Sequence, residues 1–169
     1  MGGLIALEIW RHCQNAVSAL VLTGSRANAE APEGLQRRRE VAAMVRQRGV
    51  EPLIDSMVPR LFSPNATEEL TAQYRAIACD CDAEGVAAAS LALGTRSDCT
   101  PVLQTIDVPT LLIYGRDDVI TPPQLGEELH QQIRGSRLEI LPGAGHMAPM
   151  ERPQAFAALV RDFIRTTAD

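Results

Sequence analysis

Two residues of the C-terminal half, Asp118 and His146, have the types and surroundings that acid–base chemistry needs. His146 ends the run Gly-Ala-Gly-His, and Asp118 stands 28 positions before it. Each follows a short apolar run that predicts a buried strand, and the carboxyl ends of neighbouring parallel strands lie on one rim of a sheet, where ligands bind. An aspartate there can fix the tautomer of a histidine and stabilise the imidazolium that forms when the ring accepts a serine proton.

The nucleophile that such a pair would serve is absent from the sequence. No complete Gly-x-Ser-x-Gly, the pattern of a serine on a tight strand-to-helix elbow, occurs among the 169 residues. Ser25 lacks the elbow glycines, Ser18 lies inside a predicted strand, and Ser136 begins a strand at the opposite end of the sheet. The chain instead opens with Met-Gly-Gly at residues 1–3, followed by the largely apolar residues 4–10.

Three motifs, in this order along the chain, resemble the α/β-hydrolase family, in particular its small bacterial esterase and enol-lactonase-like members. The triplet at residues 1–3 resembles the second half of an elbow Gly-x-Ser-Met-Gly-Gly, whose serine would stand one residue before Met1. Gly-x-x-Asp-x-x-x-Pro ends at Pro122, and Gly-x-Gly-His ends at His146 before a final helix. The resemblance spans nearly the whole chain and implies the C-terminal portion of the fold, beginning just after the nucleophile serine.

The resemblance also implies roles for single residues. His146 would be the general base and acid, and Asp118 its orienting carboxylate. The family spacing to Pro122 selects Asp118 over the adjacent Asp117, which we interpret as a turn residue. The backbone N–H of Met1 would be one oxyanion donor, although a chain terminus carries an ammonium instead of a fixed amide. No metal and no organic cofactor is needed.

The function implied is that of a serine hydrolase acting on a carboxylic ester, lactone or related acyl substrate. The chain would be a fragment of it that lacks the nucleophile and is inactive alone. One alternative is a catalytically inactive hydrolase-like remnant, or a module that binds a ligand or a partner. A further alternative is an acyltransferase or a C–C bond hydrolase on the same fold. These chemistries share the motifs, so the sequence leaves the alternatives open.

The order of elements predicts an α/β protein with about three parallel strands, flanking helices and an inserted helical cap. The strands are predicted at residues 16–22, 110–114 and 138–141, as short apolar runs bounded by turn residues. The cap is predicted at residues 30–99, where helical patterns occur without a convincing strand. Residues 1–29 and 100–169 would then form the partial hydrolase core.

Helices are predicted to flank this sheet. Residues 2–13 are nearly continuously apolar, which favours a helix buried beneath the sheet. Residues 123–133 bridge the second and third strands. The last helix begins near Pro153 and carries an apolar stripe that is expected to face the core: Phe156, Leu159, Val160, Phe163 and Ile164.

Four helices are predicted within the cap. The first ends at Gly49, the second is interrupted at Pro59, the third has Asn65 and Glu68 as a capping pair, and the fourth starts at Asp82. Several apolar side chains of this region are candidates to line an acyl pocket, although such residues at helical spacing more often form plain core: Met44, Met57, Leu61, Phe62 and Tyr74.

Composition and charge argue against several classes of function. The chain is 46% hydrophobic and 22% charged, which is typical of a soluble globular domain. Its net charge of -5 does not favour nucleic acid, and no apolar stretch reaches the length of a membrane span, about 18 residues. The four cysteines fit neither a disulfide framework nor a zinc motif, which favours free thiols and a cytoplasmic location. His12 and His130 are predicted to be non-catalytic and without partners.

The expected partner is a small-molecule acyl substrate in the complete form, with no nucleic acid and no membrane partner. The predicted strand at residues 16–22 would form an apolar edge of the sheet. Because unpaired apolar edges promote association, we expect the chain to self-associate through this strand.

Overall fold

Three parallel strands form the sheet of this protein. In the computed structural model, which describes residues 1–167, they are β1 (Leu20–Thr23), β2 (Thr110–Gly115) and β3 (Arg137–Leu141). β2 lies in the middle and pairs with both neighbours, so that Leu112 stands beside Leu22 of one strand and Leu138 of the other. The predicted α/β class and the parallel three-stranded sheet are confirmed.

The central strand is buried because its large side chains, from Leu111 to Tyr114, all pack in the core, while its one small polar side chain, that of Thr110, donates to the carbonyl of Val108. Every residue of β2 is buried, which is typical of a parallel strand covered on both faces. Tyr114 is 0% exposed, and its hydroxyl donates a 2.6 Å hydrogen bond to the carbonyl of Ser25, in the loop after β1. Burial raises the pKa of Tyr114 far above its ordinary value, so the phenol stays neutral.

Helix α1 (Gly2–Cys13) precedes β1 and contributes Leu7 and Trp10 to the core. The indole N–H of Trp10 donates to Thr105 Oγ1 at 3.0 Å, which satisfies the polar atom of a ring that is 2% exposed. The prediction that the whole helix is buried is wrong. Ile5 and Ile9 are about half exposed, because only one face of the helix packs on the sheet.

Three further helices follow β2. Helix α6 (Pro123–Gln132) links β2 to β3, and α7 (Ala148–Glu151) and α8 (Pro153–Thr167) come after β3. Phe163 of α8 is buried, and the preceding apolar residues of its stripe pack partly buried against the same core cluster. Ile164 is 57% exposed, so its expected place in the core is wrong. It lies one residue past Phe163, about 100° around the helix.

The chain divides into two compact units. The first comprises residues 1–27, residues 60–65 and the residues from 99 onwards, and it contains the sheet. The second comprises residues 28–59 and 66–98. The cap boundaries drawn at residues 30 and 99 stay a prediction.

Four helices account for most of the second unit: α2 (Pro32–Arg48), α3 (Glu51–Leu61), α4 (Glu68–Cys79) and α5 (Ala83–Gly94). The last two residues of α3 belong to the first unit. Within this unit α2 packs against α5, and Ser90 Oγ donates to the carbonyl of Arg38 at 3.1 Å. Glu30 accepts from both Arg38 and Arg96. Burial alone would raise the pKa of Glu30, but the two guanidinium groups outweigh it and lower the pKa.

Two details of the helix ends differ from the sequence predictions. Pro59 lies inside α3 and does not interrupt it. The N-cap of α4 is Thr67, not Asn65, and Thr67 Oγ1 accepts from the N–H of Leu70 at 3.2 Å. Threonine has the same capping chemistry as asparagine, and the pattern could not say which of two nearby caps the chain uses. Among residues 1–167, the helices lack the combination of length and hydrophobicity that a membrane-spanning segment needs.

Candidate active site

The loops that follow β2 and β3 are joined through their backbones. The N–H of Arg116 donates to the carbonyl of Leu141, and the N–H of Asp117 donates to the carbonyl of Ala144, each at 2.9 Å. A Cβ on Gly115 would lie only 2.3 Å from the Ala144 oxygen, so this approach requires glycine. The two loops therefore bring residues after the two strands within side-chain reach of each other.

The carboxylate of Asp118 is fully engaged by hydrogen bonds. Its Oδ1 accepts from the N–H groups of Ile120 and Thr121, both at 2.8 Å, and its Oδ2 accepts from Thr121 Oγ1 at 2.6 Å. The Asp118 side chain is 0% exposed. Because a buried carboxylate needs such partners to stay ionised, the turn at residues 118–121 both holds the group still and keeps its charge.

His146 supplies the remaining partner of Asp118. Its Nδ1 lies 2.8 Å from Oδ2 of Asp118 and 3.0 Å from Oγ1 of Thr121. A proton on Nδ1 can donate to the carboxylate, which leaves Nε2 with the lone pair that accepts a proton. The imidazole is 26% exposed, so the ring is not sealed inside the core. This arrangement suits a general base with a fixed tautomer.

The pKa of Asp118 follows from the balance of these contacts. Burial alone would raise it, but the hydrogen bonds from His146 and Thr121 outweigh burial and lower the pKa below its ordinary value. The group is therefore a carboxylate at neutral pH. A carboxylate beside an imidazole stabilises the protonated ring, which is the form that appears when His146 accepts a proton.

The loop after β1 packs against the imidazole. Gly24 has a φ of +50°, and a Cβ on it would lie 3.1 Å from His146 Nδ1 and 3.1 Å from Thr121 Oγ1. The next residue, Ser25, contacts α1, because a Cβ on Gly3 would lie 2.0 Å from Ser25 Oγ. The N-terminal end of α1, the β1 loop and His146 thus form one continuous series of contacts within the first unit.

The remaining predicted site residues lie in different parts of the chain. Met1 stands just before α1, and its carbonyl accepts from the N–H groups of Leu4 and Ile5; its oxyanion role stays a prediction. Leu61 and Phe62 are buried in the first unit, with their backbone against Gly145. Three candidates are partly buried in the second unit, and their role in substrate binding also stays a prediction: Met44, Met57 and Tyr74.

Both other histidines have partners, so the expectation that they have none is wrong. His12 lies 3.5 Å from the carboxylate of Glu8, one helical turn earlier. His130 Nδ1 lies 2.9 Å from Oγ of Ser136. Neither contact includes a residue of the Asp118 loop.

Sequence reasoning missed Thr121 and Gly24, which touch the pair directly. Thr121 stands three residues after Asp118, the spacing at which a hydroxyl and an N–H can both return to an aspartate side chain, and this spacing was the available signal. Gly24 follows a strand and precedes a serine, a pattern that fits many turns, so it carried no specific signal.

A family model and two curated proteins that this chain resembles all belong to hydrolases. Residues 1–159 match the model of the alpha/beta hydrolase family. The chain is 32% identical to pimeloyl-[acyl-carrier protein] methyl ester esterase of Neisseria meningitidis, with 100% of the chain and 56% of that protein covered. It is 31% identical to 3-oxoadipate enol-lactonase 2 of Acinetobacter baylyi, with 92% of the chain and 58% of that protein covered.

Among solved structures, a thermophilic esterase from Thermogutta terrifontis superposes with a TM-score of 0.96 at 32% identity, covering 98% of this chain and 62% of the esterase. The chain thus spans little more than half the length of the curated relatives it matches. The parallel sheet, the Asp118–His146 contact after its last two strands and the match over residues 1–159 agree. The chain therefore belongs to the alpha/beta hydrolase family.

Proposed function

We propose that this chain supplies the base and the orienting acid of a serine hydrolase that cleaves carboxylic esters or lactones. The single observation that carries the proposal is the 2.8 Å contact between His146 Nδ1 and a buried, fully hydrogen-bonded Asp118. In this role Nε2 of His146 takes the proton of a serine hydroxyl while the serine oxygen attacks the acyl carbon. His146 then gives that proton to the leaving alkoxide, and water releases the acyl group by the same steps in turn.

The choice of an ester or lactone is supported by the relatives described above. A methyl ester esterase and an enol-lactonase are both named for breaking an acyl carbon–oxygen bond. The bond is open-chain in one and cyclic in the other, so the shared chemistry is acyl transfer from an alkoxide or enolate oxygen to water. This favours hydrolysis over transfer to another acceptor or cleavage of a C–C bond.

The nucleophile in this proposal is a serine next to the N-terminal end of α1. The triplet at residues 1–3 would be the second half of its elbow, and the N–H of Met1 would face the oxyanion. The contact of Gly3 with Ser25, beside the Gly24 that packs on His146, supports a place for this helix end near the base. We propose accordingly that the 169 residues alone do not form an acyl-enzyme.

The test compares two chains. One is the 169-residue chain, and the other is extended by the in-frame residues encoded upstream of Met1. Hydrolysis of short p-nitrophenyl esters and labelling by a serine-reactive fluorophosphonate are measured for both, with His146→Ala as the matched control. We expect turnover and labelling only in the extended chain and loss of both with His146→Ala. Hydrolysis by the 169-residue chain would contradict the assigned nucleophile, and hydrolysis by either chain that survives His146→Ala would contradict the role of His146.

A second outcome separates the alternatives. If the extended chain binds the fluorophosphonate but hydrolyses no ester or lactone, the nucleophile is active and the acyl acceptor or the bond broken is different. If neither chain is labelled, the hydrolase proposal is wrong and a binding module is favoured.

A further inference from the structure

Glu151 lies five residues after His146 in the chain and bridges two backbone segments beside it. One carboxylate oxygen accepts from the N–H of Gly145, and the other accepts from the N–H of Ser63, both at 2.7 Å. Hydrogen bonds to an ionised acceptor are shorter and stronger than neutral ones. A single side chain thus ties residue 145, directly before His146, to Ser63.

The residue directly after His146 is held by the same segment. The N–H of Met147 donates to the carbonyl of Leu61 at 3.1 Å. The carbonyl of Met147 accepts in turn from the N–H of Glu151 at 3.0 Å, in the first turn of α7. The backbone on both sides of His146 is therefore fixed to residues 61–63, with Glu151 as the only side chain among these contacts.

Close packing adds to this restraint. A Cβ on Gly145 would lie 2.7 Å from the carbonyl carbon of Phe62 and 2.7 Å from the nitrogen of Ser63. The two backbones are thus in direct contact, and no side chain separates them. Removing the carboxylate would leave two N–H groups without their acceptor in a place where the backbone has little room to move.

We propose that Glu151 is a positioning residue for His146. It holds the histidine loop so that the imidazole meets Asp118 through Nδ1 and presents Nε2 to the nucleophile. The inference rests on the proposed role of His146 as the general base, and it adds a residue that does not itself contact the imidazole through any of the hydrogen bonds described. Its effect is on the orientation and tautomer of the ring.

The test reads the histidine ring by NMR, so it does not depend on catalysis. The chain has three histidines. The ring signals of His146 are identified as those that His146→Ala removes from long-range 1H–15N spectra at pH 8. In the unmodified chain we expect one tautomer with the proton on Nδ1, and a Gly145 N–H that exchanges slowly with solvent. Rapid exchange of that N–H in the unmodified chain would by itself overturn the proposal, even if every variant failed to fold.

The decisive variant is Glu151→Gln, which keeps the shape but turns one acceptor oxygen into a donor. We expect mixed tautomers at His146 and Gly145 exchange at least about tenfold faster. The matched control is Asp82→Ala, which removes a carboxylate that accepts a backbone N–H, that of Gly85, at the same 2.7 Å. Asp82→Ala should leave the His146 signals unchanged. Unchanged signals in Glu151→Gln as well would overturn the proposal and reduce Glu151 to a purely structural contact.

Kinetics of the extended chain give an independent readout. Glu151→Gln should lower kcat by about tenfold and leave KM within about twofold, because the variant alters the base and not the binding of the ester. If the unmodified extended chain hydrolyses nothing, the proposed function fails, while the NMR comparison still decides the role of Glu151. A fall confined to thermal stability, with kcat and the tautomer unchanged, would contradict the proposal.

Discussion

Thr121 Oγ1 lies 2.6 Å from Oδ2 of Asp118 and 3.0 Å from Nδ1 of His146, so one hydroxyl touches both members of the pair. The hydroxyl donates to the carboxylate, and its oxygen stands beside the proton on Nδ1. Contacts within residues 118–121 therefore hold the Asp118 carboxylate independently of its contact with the histidine. The hydroxyl of Thr121 is therefore part of the geometry that joins Asp118 to His146.

The first prediction concerns this hydroxyl. Thr121→Val removes the donor to Oδ2 and keeps the shape of the side chain. Since hydrogen bonds to charged groups contribute about 1.5–3 kcal/mol, we expect kcat of the extended chain to fall by about 10- to 100-fold. Thr121→Ser keeps the hydroxyl and should retain most of the activity. Equal kcat for the valine and serine variants would show that the hydroxyl has no part in the site.

The second prediction concerns acid stability. The pKa of Asp118 is lowered in the folded chain, so its ionisation stabilises the fold above the ordinary value of 3.8, and this contribution is lost as the pH falls from there through the lowered pKa. The free energy of unfolding, measured by urea titration between pH 6 and pH 3, should fall more steeply below about pH 4 in the unmodified chain than in Asp118→Asn. Parallel curves for the two proteins would contradict the assigned pKa direction.

The third prediction concerns Gly24. Gly24→Ala should disturb His146 in two ways, because a φ of +50° strains an alanine and its Cβ would press on the imidazole and on Thr121. The control is Gly135→Ala, where φ is +75° but nothing lies within 4 Å of the added Cβ. Both variants should lose about 1–2 kcal/mol of stability from backbone strain. NMR of His146 should change only in Gly24→Ala; a change in both would mean that strain, not contact, is responsible.

The fourth prediction concerns the edge of the sheet at β1. Val21 is 38% exposed on this strand, and Ile5 and Ile9 of α1 are also exposed. We expect the 169-residue chain to self-associate in a concentration-dependent way in sedimentation experiments. Val21→Lys should reduce the association, since a charge on an edge strand disfavours pairing. The control is Ile77→Lys, which removes an exposed apolar side chain from α4 and should have little effect on the association. If Ile77→Lys reduced the association more than Val21→Lys did, the chains would not associate through β1.

The fold could be predicted from the sequence wherever local pattern and burial agree. The run at residues 110–114 is apolar after Thr110, and it forms the buried central strand. The end of α2 at Arg48 is also predictable, because a glycine after a helical pattern marks its end, and Gly49 adopts a φ of +78° that favours glycine. Patterns were less informative where two residues have the same chemistry, as with Asn65 and Thr67, or where one face of a helix stays exposed, as with Ile5.

The site likewise has features that the sequence predicts and features that depend on tertiary contacts. The sequence alone determined the residue types, Asp118 and His146, and the strands after which they stand, since these follow from local spacing. Only the tertiary structure decided that Thr121 and Gly24 touch the imidazole and that Glu151 joins Gly145 to Ser63. All but one of those contacts link residues 25 to 122 positions apart. The exception, Gly145 to Glu151, depends on which nearby N–H groups the carboxylate accepts from. Such choices are fixed by packing and hydrogen bonding across the whole fold, which no local pattern records.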